Sequence, residues 1–314
     1  MKLIKPSFEI IEQQSGLDGL YKQIELAGRT CYKSEDKITE NSAKKFVDRM
    51  IKSGHGAMLE HGTVYLRYDF KAEGDSNSTA YWLWSKYNEN KYSESVQAQP
   101  IPGVPNGFVA ITTNYRVLVE NDWLDDLKYL CEPTEYHKKR VCVRFICDRG
   151  VSHEYVRHRV FSFAQESTRY CNYSKNKFDN EVTYILPCWI EEKDLPKVFN
   201  NYTKDVWSSL FYGFYYGVTE KGKNAGFNVS LERNFLFSLQ VAEQLYLELL
   251  NQGWTPQEAR AVLPNALKTE LVMTGFVSDW KHFFELRCDS AAHPQARELA
   301  IPLKEEFIKR GYEI

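Results

Sequence analysis

The densest group of side chains able to do chemistry lies in the segment VRHRVFSFAQESTRYCNYS, residues 156–174. Five of its residues can hold an anion: Arg157, His158, Arg159, Ser167 and Arg169. Arginine presents a permanently charged planar fork that binds phosphate through two hydrogen bonds, and a neighbouring hydroxyl adds a further donor. The segment therefore predicts a phosphate-binding site.

The alternative for the triplet Arg157–Arg159 is an inert charged surface, because exposed charge runs usually contribute little. The triplet is flanked, however, by buried-type residues such as Tyr155, Val160 and Phe161. A partly buried arginine needs a partner, and an anionic ligand would supply one. We therefore expect these arginines to be partly buried and to face a ligand.

Three other segments combine charged groups with small or apolar neighbours. In SGHGAMLEH, residues 53–61, small residues around His55 would let a planar ligand approach the backbone. In EARAVLP, Arg260 is expected in the first turns of an apolar helix, whose N-terminus favours an anion. In WKHFFELR, His282 and Arg287 would flank a buried phenylalanine face. For the His55 segment the plain alternative is a turn with local hydrogen bonds. For Arg260 it is an arginine at a helix rim, and for His282 and Arg287 it is two residues at the rim of a helix.

Composition narrows the class of protein. The chain has 314 residues, with 40 Lys+Arg and 42 Asp+Glu, so its formal net charge of −2 argues against a dedicated nucleic-acid binder. Its seven cysteines form no CxxC and no metal knuckle, which favours reduced thiols in the cytoplasm. The N-terminal residues contain no apolar run typical of a signal peptide. The most apolar stretch, residues 235–250, is interrupted by Gln and Glu, so no membrane span is expected.

The N-terminal elements that would carry these segments are two helices. Periodicity predicts helices over residues 17–27, ended by Gly28, and over residues 42–53, ended by Gly54. The second has one apolar stripe made of Phe46, Val47, Met50 and Ile51.

Three strands are predicted from alternating apolar residues: 63–70, 141–147 and 182–186. After the second strand, Ser152 is expected to cap a short helix that carries Glu154 and His158. Between the first two strands, residues 71–107 form an excursion with Gly, Pro and Ser at both ends, which marks loops. Such an excursion is typical of a lid or a subunit contact; a decoration without a catalytic part is the alternative.

The C-terminal part is expected to be helical from residue 196 onward. Helices should begin at Thr255, which is followed by Pro256 and Glu258, and at Ser278. Strands first and helices later indicate an α+β fold rather than alternating βαβ units. No glycine-rich dinucleotide or phosphate loop is present, so any nucleotide must be held in another way.

Together these segments resemble the flavin-dependent thymidylate synthase family. The triplet Arg157–Arg159, followed after seven residues by Ser167, resembles the family's signature. HGAMLEH resembles its histidine segment, VRFICDRGVSHEYVRHR its strand-then-helix approach to the signature, and EARAVLP and FFELR its late arginine-bearing helices. The resemblance runs from about residue 20 to residue 302 and is weakest in 71–107.

The resemblance implies one domain over residues 1–314, with an insertion at about 71–107. Its fold would be the family's own α+β fold, the thymidylate synthase-complementing fold, with a mainly antiparallel sheet flanked by helices. The family is a cytoplasmic homotetramer with FAD sites at subunit interfaces. It converts dUMP to dTMP; methylenetetrahydrofolate supplies the carbon, and FAD reduced by NADPH supplies the hydride. Neither nucleic acid nor membrane is an expected partner.

The resemblance also implies roles for individual residues. The residues implied to bind FAD are His55, Glu60, Arg157, His158, Arg159, His282 and His293. Those implied to bind dUMP are Glu154, Gln165, Ser167, Thr168, Arg169, Arg260 and Arg287. Arg169 and Arg260 would hold the phosphate, and Thr168 would act through its backbone. Arg287 would face the uracil ring, where a cationic donor stabilises developing negative charge, so it and Ser167 are the catalytic candidates.

A protein nucleophile is the competing mechanism. Classical thymidylate synthases use a cysteine that follows a proline, as Cys188 follows Pro187 here. No basic neighbour within sequence reach lowers its pKa, so we expect a structural thiol. Ser167 shows no activating base either and is preferred as a phosphate ligand.

Two other functions stay open from the sequence. One is a flavoprotein oxidoreductase of similar fold without methyl transfer. The other is an RNA-binding or scaffold protein that uses the triplet and the tyrosines for stacking, which the net charge disfavours. Flavin released from a denatured yellow preparation would exclude the second.

Overall fold

The computed structural model describes residues 1–71, 76–100, 106–191, 193 and 231–314. Its strands are Lys2–Ile4 (β1), Ser7–Ile11 (β2), Thr63–Lys71 (β3), Glu94–Ala98 (β4), Asn106–Asn114 (β5), Arg140–Asp148 (β6), Ser162–Gln165 (β7), Thr183–Ile185 (β8) and Lys268–Phe276 (β9). Its helices are Gly16–Tyr32 (α1), Ala43–Lys52 (α2), Gly56–Leu59 (α3), Ser76–Asn88 (α4), Tyr115–Glu120 (α5), Arg149–Tyr155 (α6), Leu231–Asn251 (α7), Pro256–Ala259 (α8), Val277–Arg287 (α9) and Pro294–Lys309 (α10). The predicted α+β class is confirmed.

Four strands form an antiparallel sheet in the order β2-β6-β9-β7. The central strands β6 and β9 place Phe145 opposite Leu271. One face of the sheet packs on α9 and α10, where Phe145, Trp280 and Phe283 are fully buried. Helix α6 follows β6 directly and contacts β9, and β7 borders β9 on its other side. The sheet therefore places α6 near the loop that follows β7.

A second antiparallel sheet has the order β3-β5-β4 and is covered by α4. Ala80, Leu83 and Tyr87 of α4 are buried in one core cluster with Leu66 and Ile111 of the sheet. The predicted excursion thus contributes a core helix and a sheet strand over its described residues 76–100. Residues 72–75 and 101–105 lie outside the described part of the chain.

A parallel pair, β1 with β8, completes the sheets. Helix α7 covers it, and Leu239 and Tyr246 of α7 are buried in one cluster with Tyr184 of β8. The three strands predicted from alternation are confirmed as β3, β6 and β8.

The prediction that Gly28 ends the first helix is wrong, because α1 continues to Tyr32. Gly28 lies where α1 packs on α2: a Cβ atom there would come within 2.4 Å of the Phe46 ring. The glycine therefore permits close helix packing. The helix ends instead at Lys33, which has a left-handed backbone with φ of 47°.

Other local predictions are partly confirmed. Helix α2 ends just before the predicted Gly54, whose φ is 71°, although Ile51 is exposed rather than part of the buried stripe. Ser152 lies inside α6 and does not cap it. The cap is Asp148, whose carboxylate accepts a hydrogen bond from the Val151 N–H at 2.7 Å.

The expectation of an entirely helical C-terminal part is wrong, because β9 lies in it. Most of this strand is buried on both faces, so its apolar residues do not alternate with polar ones. The helix start predicted at Thr255 is confirmed, since Thr255 N–H donates to Glu258 at 2.8 Å. Helix α9 begins at Val277, one residue before the predicted Ser278, and Phe276 N–H donates to Asp279 at 2.9 Å. Residues 196–230 lie outside the described residues.

All seven cysteines are free, and of these Cys142, Cys147 and Cys171 are buried, whereas Cys188 is exposed. Across the described ranges, no helix has the length and apolar character needed to cross a bilayer. Nor do His, Cys, Asp and Glu side chains of those ranges gather into a group that could hold a metal ion.

Candidate active site

Strand β7 ends at Gln165, and the loop after it carries Ser167, Thr168 and Arg169; all four residues are predicted to bind dUMP. Two contacts fix its position. Ser167 N–H donates to the Cys31 carbonyl at 3.0 Å, at the end of α1, and Gln165 Nε2 donates to Ser152 Oγ at 2.8 Å, inside α6. The loop is therefore held at the end of α1, and the end of β7 that leads into it is held against α6.

Arg260 reaches this loop from the segment after α8. One of its terminal nitrogens donates to Thr168 Oγ1 at 3.0 Å, so the Thr168 side chain holds this arginine. The expectation that Arg260 lies at a helix N-terminus is wrong, because α8 ends at Ala259 and Arg260 follows it as the C-cap.

Arg169 is exposed, and its guanidinium lies over the ring of Tyr170, 5.5 Å from the centroid. Like Arg260, it has no carboxylate partner among the residues that the structure describes. Both charges therefore remain free to bind an anion beside Ser167.

Arg287 joins α9 to α6. Its terminal nitrogens donate to the Glu154 carboxylate at 2.8 Å and to the Glu154 carbonyl at 2.7 Å, and its Nε donates to His158 Nε2 at 2.9 Å. Three of the five guanidinium N–H groups are occupied in this way, so two remain for a ligand. Glu154, His158 and Arg287 form one unit.

His158 is held neutral by these surroundings. Burial, and then the neighbouring Arg287 charge, lowers its pKa from 6.5 to about 4. Because Nε2 accepts from Arg287, the ring proton lies on Nδ1. His158 therefore offers a ligand an N–H donor rather than a positive charge.

The two arginines of the triplet are exposed, which corrects the expectation that they are partly buried. Only His158 turns inward, with 7% of its surface exposed. The triplet lies in the turn between α6 and β7, so its neighbours in sequence do not bury it. Neither the Arg157 nor the Arg159 side chain forms a hydrogen bond or ion pair with another described residue. Both charges are available to a phosphate, and their exposure also fits the inert-surface alternative.

His55 lies beside the loop of Ser167. Its ring is parallel to that of Tyr32, with an interplanar angle of 7° and centroids 6.4 Å apart, and Tyr32 hydroxyl hydrogen-bonds to His55 Nδ1 at 2.8 Å. Tyr32 also contacts the Tyr170 ring at 5.5 Å. Glu60, which follows the C-terminal end of α3, accepts a hydrogen bond from Arg116 at 2.6 Å. His55 is thus close to the dUMP candidates, and the Glu60 charge is balanced by Arg116.

The segment that carries His55 and Glu60 is anchored by His61. This side chain is fully buried and hydrogen-bonds through Nδ1 to Thr274 Oγ1 at 2.8 Å. Burial, and then the charge of Arg140, lowers its pKa to about 3. His61 is therefore a neutral structural contact between this segment and β9.

The remaining two histidines differ in their surroundings. His282 is exposed, and its ring lies 6.1 Å from that of His158, which places it beside the triplet. His293 is the N-cap of α10, and its ring lies 6.0 Å from Trp189. Over the described residues, no ring contact or hydrogen bond joins His293 to the other flavin candidates.

Among the described residues, neither candidate nucleophile has an activating base. Cys188 is exposed, and partial burial raises the pKa of its thiol, which favours the unreactive protonated form. Ser167 Oγ accepts a hydrogen bond from Arg169 N–H at 3.3 Å, and no basic side chain of the described residues bonds to it.

Three residues at this site were not predicted from the sequence. The Tyr32 ring stacks on His55 and contacts the tilted Tyr170 ring, and nothing in the sequence indicates that these segments meet. Arg149 begins α6, and one of its terminal nitrogens is buried without a hydrogen-bond partner. A charged residue directly after a predicted strand is the signal that could have identified Arg149.

Two cavities lie away from these residues. One, of about 310 Å³, is lined by residues that include His61 and Arg140. The other, of about 400 Å³, is lined by residues that include Lys33, Glu166 and Lys268. Neither is lined by a residue predicted to bind FAD or dUMP.

Comparison with known proteins identifies relatives. The family model described as thymidylate synthase complementing protein matches residues 139–310. A flavin-dependent thymidylate synthase of Pyrococcus furiosus is 28% identical over 164 residues, which are 52% of this chain and 52% of that protein. One of Corynebacterium glutamicum is 22% identical over 293 residues, 93% of this chain and 76% of that protein.

Among solved structures, a UMP/dUMP methylase, PolB, of Streptomyces cacaoi bound with 5-Br dUMP aligns with a TM-score of 0.39 and 16% identity, over 98% of this chain and 93% of that chain. The chain spans about half the length of the first curated relatives that it matches. Because the family model covers more than half of the chain, including α6, the triplet, the loop of Ser167 and α9, the chain belongs to the thymidylate synthase complementing protein family.

Proposed function

We propose that this chain is a flavin-dependent thymidylate synthase that converts dUMP to dTMP. Curated relatives that bear this name support the proposal. In this reaction methylenetetrahydrofolate supplies the carbon, and FAD, reduced by NADPH, supplies the hydride. The residues of this chain would bind and orient the two nucleotides and stabilise charge on the uracil ring.

One observation carries the proposal. Four arginines of this site have no carboxylate partner within the described part of the chain: Arg157, Arg159, Arg169 and Arg260. Arg287, by contrast, is paired with Glu154 at 2.8 Å. Unpaired guanidinium groups bind phosphate strongly, and dUMP and FAD together bring three phosphate groups.

The dUMP roles follow from the contacts of each residue. Arg169 and Arg260 would hold the phosphate, with Ser167 and Thr168 adding hydroxyl donors. Gln165 would orient the nucleotide from its position against α6. Arg287 would direct its two free N–H groups at a uracil carbonyl, where they stabilise the negative charge that develops during reaction. Glu154 would keep the guanidinium in that orientation.

The residues that bind FAD are needed as hydrogen-bond donors rather than as general bases. Arg157 and Arg159 would bind the diphosphate, and His158 would donate its Nδ1–H. His55 and Glu60 would contact the flavin from the side of α3. The His282 ring lies 6.1 Å from that of His158, which supports a role for His282 beside the same ligand, and His293 is the final candidate.

We also propose a homotetramer in the cytoplasm, with sites shared between copies of the chain. The exposed triplet supports shared sites, since a second copy would convert an open surface into an enclosed one. Free cysteines support a reducing compartment.

The test is dTMP formation by the purified chain supplied with dUMP, methylenetetrahydrofolate, NADPH and FAD. We expect dTMP only when all four are present. Oxidation of NADPH without dTMP would replace the proposal with the oxidoreductase alternative. Absence of flavin binding and of any NADPH oxidation would refute both.

A further inference from the structure

Four charged side chains form a partly buried network beside the predicted dUMP loop. Lys268 Nζ lies 2.9 Å from Glu166 Oε2 and 2.6 Å from Glu270 Oε1. Lys33 Nζ binds the same Glu270 oxygen and also lies 3.3 Å from Glu35 Oε1 at the more exposed end of the network. The order Glu166–Lys268–Glu270–Lys33 therefore alternates in charge, and each interior residue has two partners.

The network is shielded from water. The exposed fractions of the side chains are 1% for Glu166, 9% for Glu270, 14% for Lys268 and 19% for Lys33. Burial alone would lower the pKa of Lys268, but the two carboxylates outweigh it and raise the pKa. Burial alone would raise the pKa of Glu270, but Lys268 and Lys33 outweigh it and lower the pKa. Lys268 and Glu270 are thus held charged near neutral pH, and loss of one charge leaves its partner buried and unpaired.

The network joins three segments of the chain. Glu166 belongs to the loop after β7 and immediately precedes Ser167. Lys268 and Glu270 belong to β9, and the Glu166 N–H donates to the Glu270 carbonyl at 2.8 Å. Lys33 ends α1 in a left-handed conformation, with φ of 47°, which its bond to Glu270 helps to hold.

Each end of the network adjoins a predicted ligand contact. Lys33 follows Tyr32, whose hydroxyl hydrogen-bonds to His55. Glu166 precedes Ser167, whose N–H donates to the Cys31 carbonyl at 3.0 Å. The two ends therefore meet where α1 touches the loop. The cavity of about 400 Å³ that borders Lys33, Glu166 and Lys268 leaves room for the loop to shift if the network is broken.

We infer that Glu166, Lys268, Glu270 and Lys33 are positioning residues, which fix the loop of Ser167 and the Tyr32–His55 pair in one mutual arrangement. They act through Ser167 and Tyr32. The inference rests on the proposed function only for the identity of the ligands that the arrangement binds. The link between the loop of Ser167 and the end of α1 is a property of the ligand-free protein.

The experiment compares Glu166→Gln with wild type by two measurements. The first is hydrogen exchange of the ligand-free protein, where we expect about tenfold faster exchange at the Ser167 and Arg169 amides and in residues 31–34. The second is steady-state kinetics, where we expect the KM for dUMP to rise about tenfold, the effect of losing one charged hydrogen bond, with kcat changed by less than about threefold.

Two further variants separate positioning from general loss of stability. Lys268→Arg keeps the charge and should retain wild-type exchange and KM. Glu9→Gln removes the ion pair with Arg144, at 2.6 Å, from an exposed position on the same sheet, and should change neither measurement. If Glu166→Gln does not fold, Lys33→Met breaks the other end of the network and should accelerate exchange in the same two segments.

Unchanged exchange and KM in a folded Glu166→Gln or Lys33→Met protein would overturn the inference. An equal effect of Glu9→Gln would also overturn it, because the change would then be general. The exchange measurement needs no substrate, so a wild-type protein that makes no dTMP would refute the proposed function and leave the link between the two segments testable.

Discussion

Replacing His158 with glutamine tests the central polar unit of the site. The introduced amide oxygen can still accept from Arg287 Nε, as His158 Nε2 does at 2.9 Å, so the contact with α9 is preserved. What the substitution removes is a titratable ring whose pKa is lowered to about 4 by burial and by Arg287. At acidic pH, wild type should therefore lose stability through protonation of the His158 ring, and the variant should not.

The sign and size follow from linkage. In the unfolded chain the imidazole takes up a proton near its ordinary pKa of 6.5, whereas in the folded chain it does so only near pH 4. Between these values the unfolded state binds more protons, so the free energy of unfolding falls as the pH falls. At pH 5 the expected loss from His158 is about 2 kcal/mol relative to pH 8, from about 1.4 kcal/mol for each pH unit below the unfolded pKa.

The assay is urea unfolding of both proteins at pH 8 and pH 5. We expect the drop in unfolding free energy between the two pH values to be about 2 kcal/mol smaller in His158→Gln than in wild type. The matched control is His153→Gln, which changes an exposed histidine of the preceding helix α6 and should retain the wild-type drop. An equal drop in His158→Gln and wild type, or an NMR titration of His158 near pH 6.5, would refute the account of this cluster.

The other predictions concern binding, the nucleophile and helix packing. Arg169→Ala should raise the KM for dUMP about 10- to 100-fold, since a charged hydrogen bond contributes about 1.5–3 kcal/mol; an unchanged KM removes Arg169 from the phosphate site. Arg157→Ala should weaken FAD retention, measured by gel filtration, more than dUMP affinity, and the reverse order would overturn the assignment. Cys188→Ala should leave kcat for dTMP formation largely intact, and an inactive folded variant would restore the cysteine mechanism. Gly28→Ala should lower the free energy of unfolding by about 1–3 kcal/mol, because its Cβ would overlap the Phe46 ring; a stability at or above wild type in urea would contradict this packing.

Sequence reasoning could find the strands in which apolar and polar residues alternate with a period of two. Residues 63–70 and 141–147 alternate because one face of each is more buried than the other. β9 could not be found in this way, since most of it is buried on both faces and its apolar residues run on without alternation.

Gly28 shows a different limit of the sequence. A glycine near the end of a helical pattern usually marks its end, but here it allows the Phe46 ring to pack against α1. That ring also lies between the guanidinium groups of Arg29 and Arg49, at 4.9 and 5.0 Å. Only the tertiary structure distinguishes a helix end from a close contact between helices.

The types of residue at the site were predictable, and their pairing was not. The spacing of Arg157, Ser167 and Arg169 pointed to an anion site because all three lie in one segment. The bond between Arg287 and Glu154 joins residues far apart in sequence, so no local pattern reveals which arginine is neutralised. The exposure of Arg157 and Arg159 likewise depends on the turn between α6 and β7, where Val160 is itself 66% exposed although Tyr155 and Phe161 are buried.

The most direct test of the proposed arrangement is a titration of the FAD-loaded protein with dUMP, followed by flavin absorbance. If this site holds the flavin ring against the uracil ring, dUMP should shift the flavin spectrum saturably, at one dUMP per bound flavin, and Arg169→Ala should move the curve to higher dUMP concentration. A flavin spectrum that stays constant while equilibrium dialysis shows dUMP bound would contradict the arrangement.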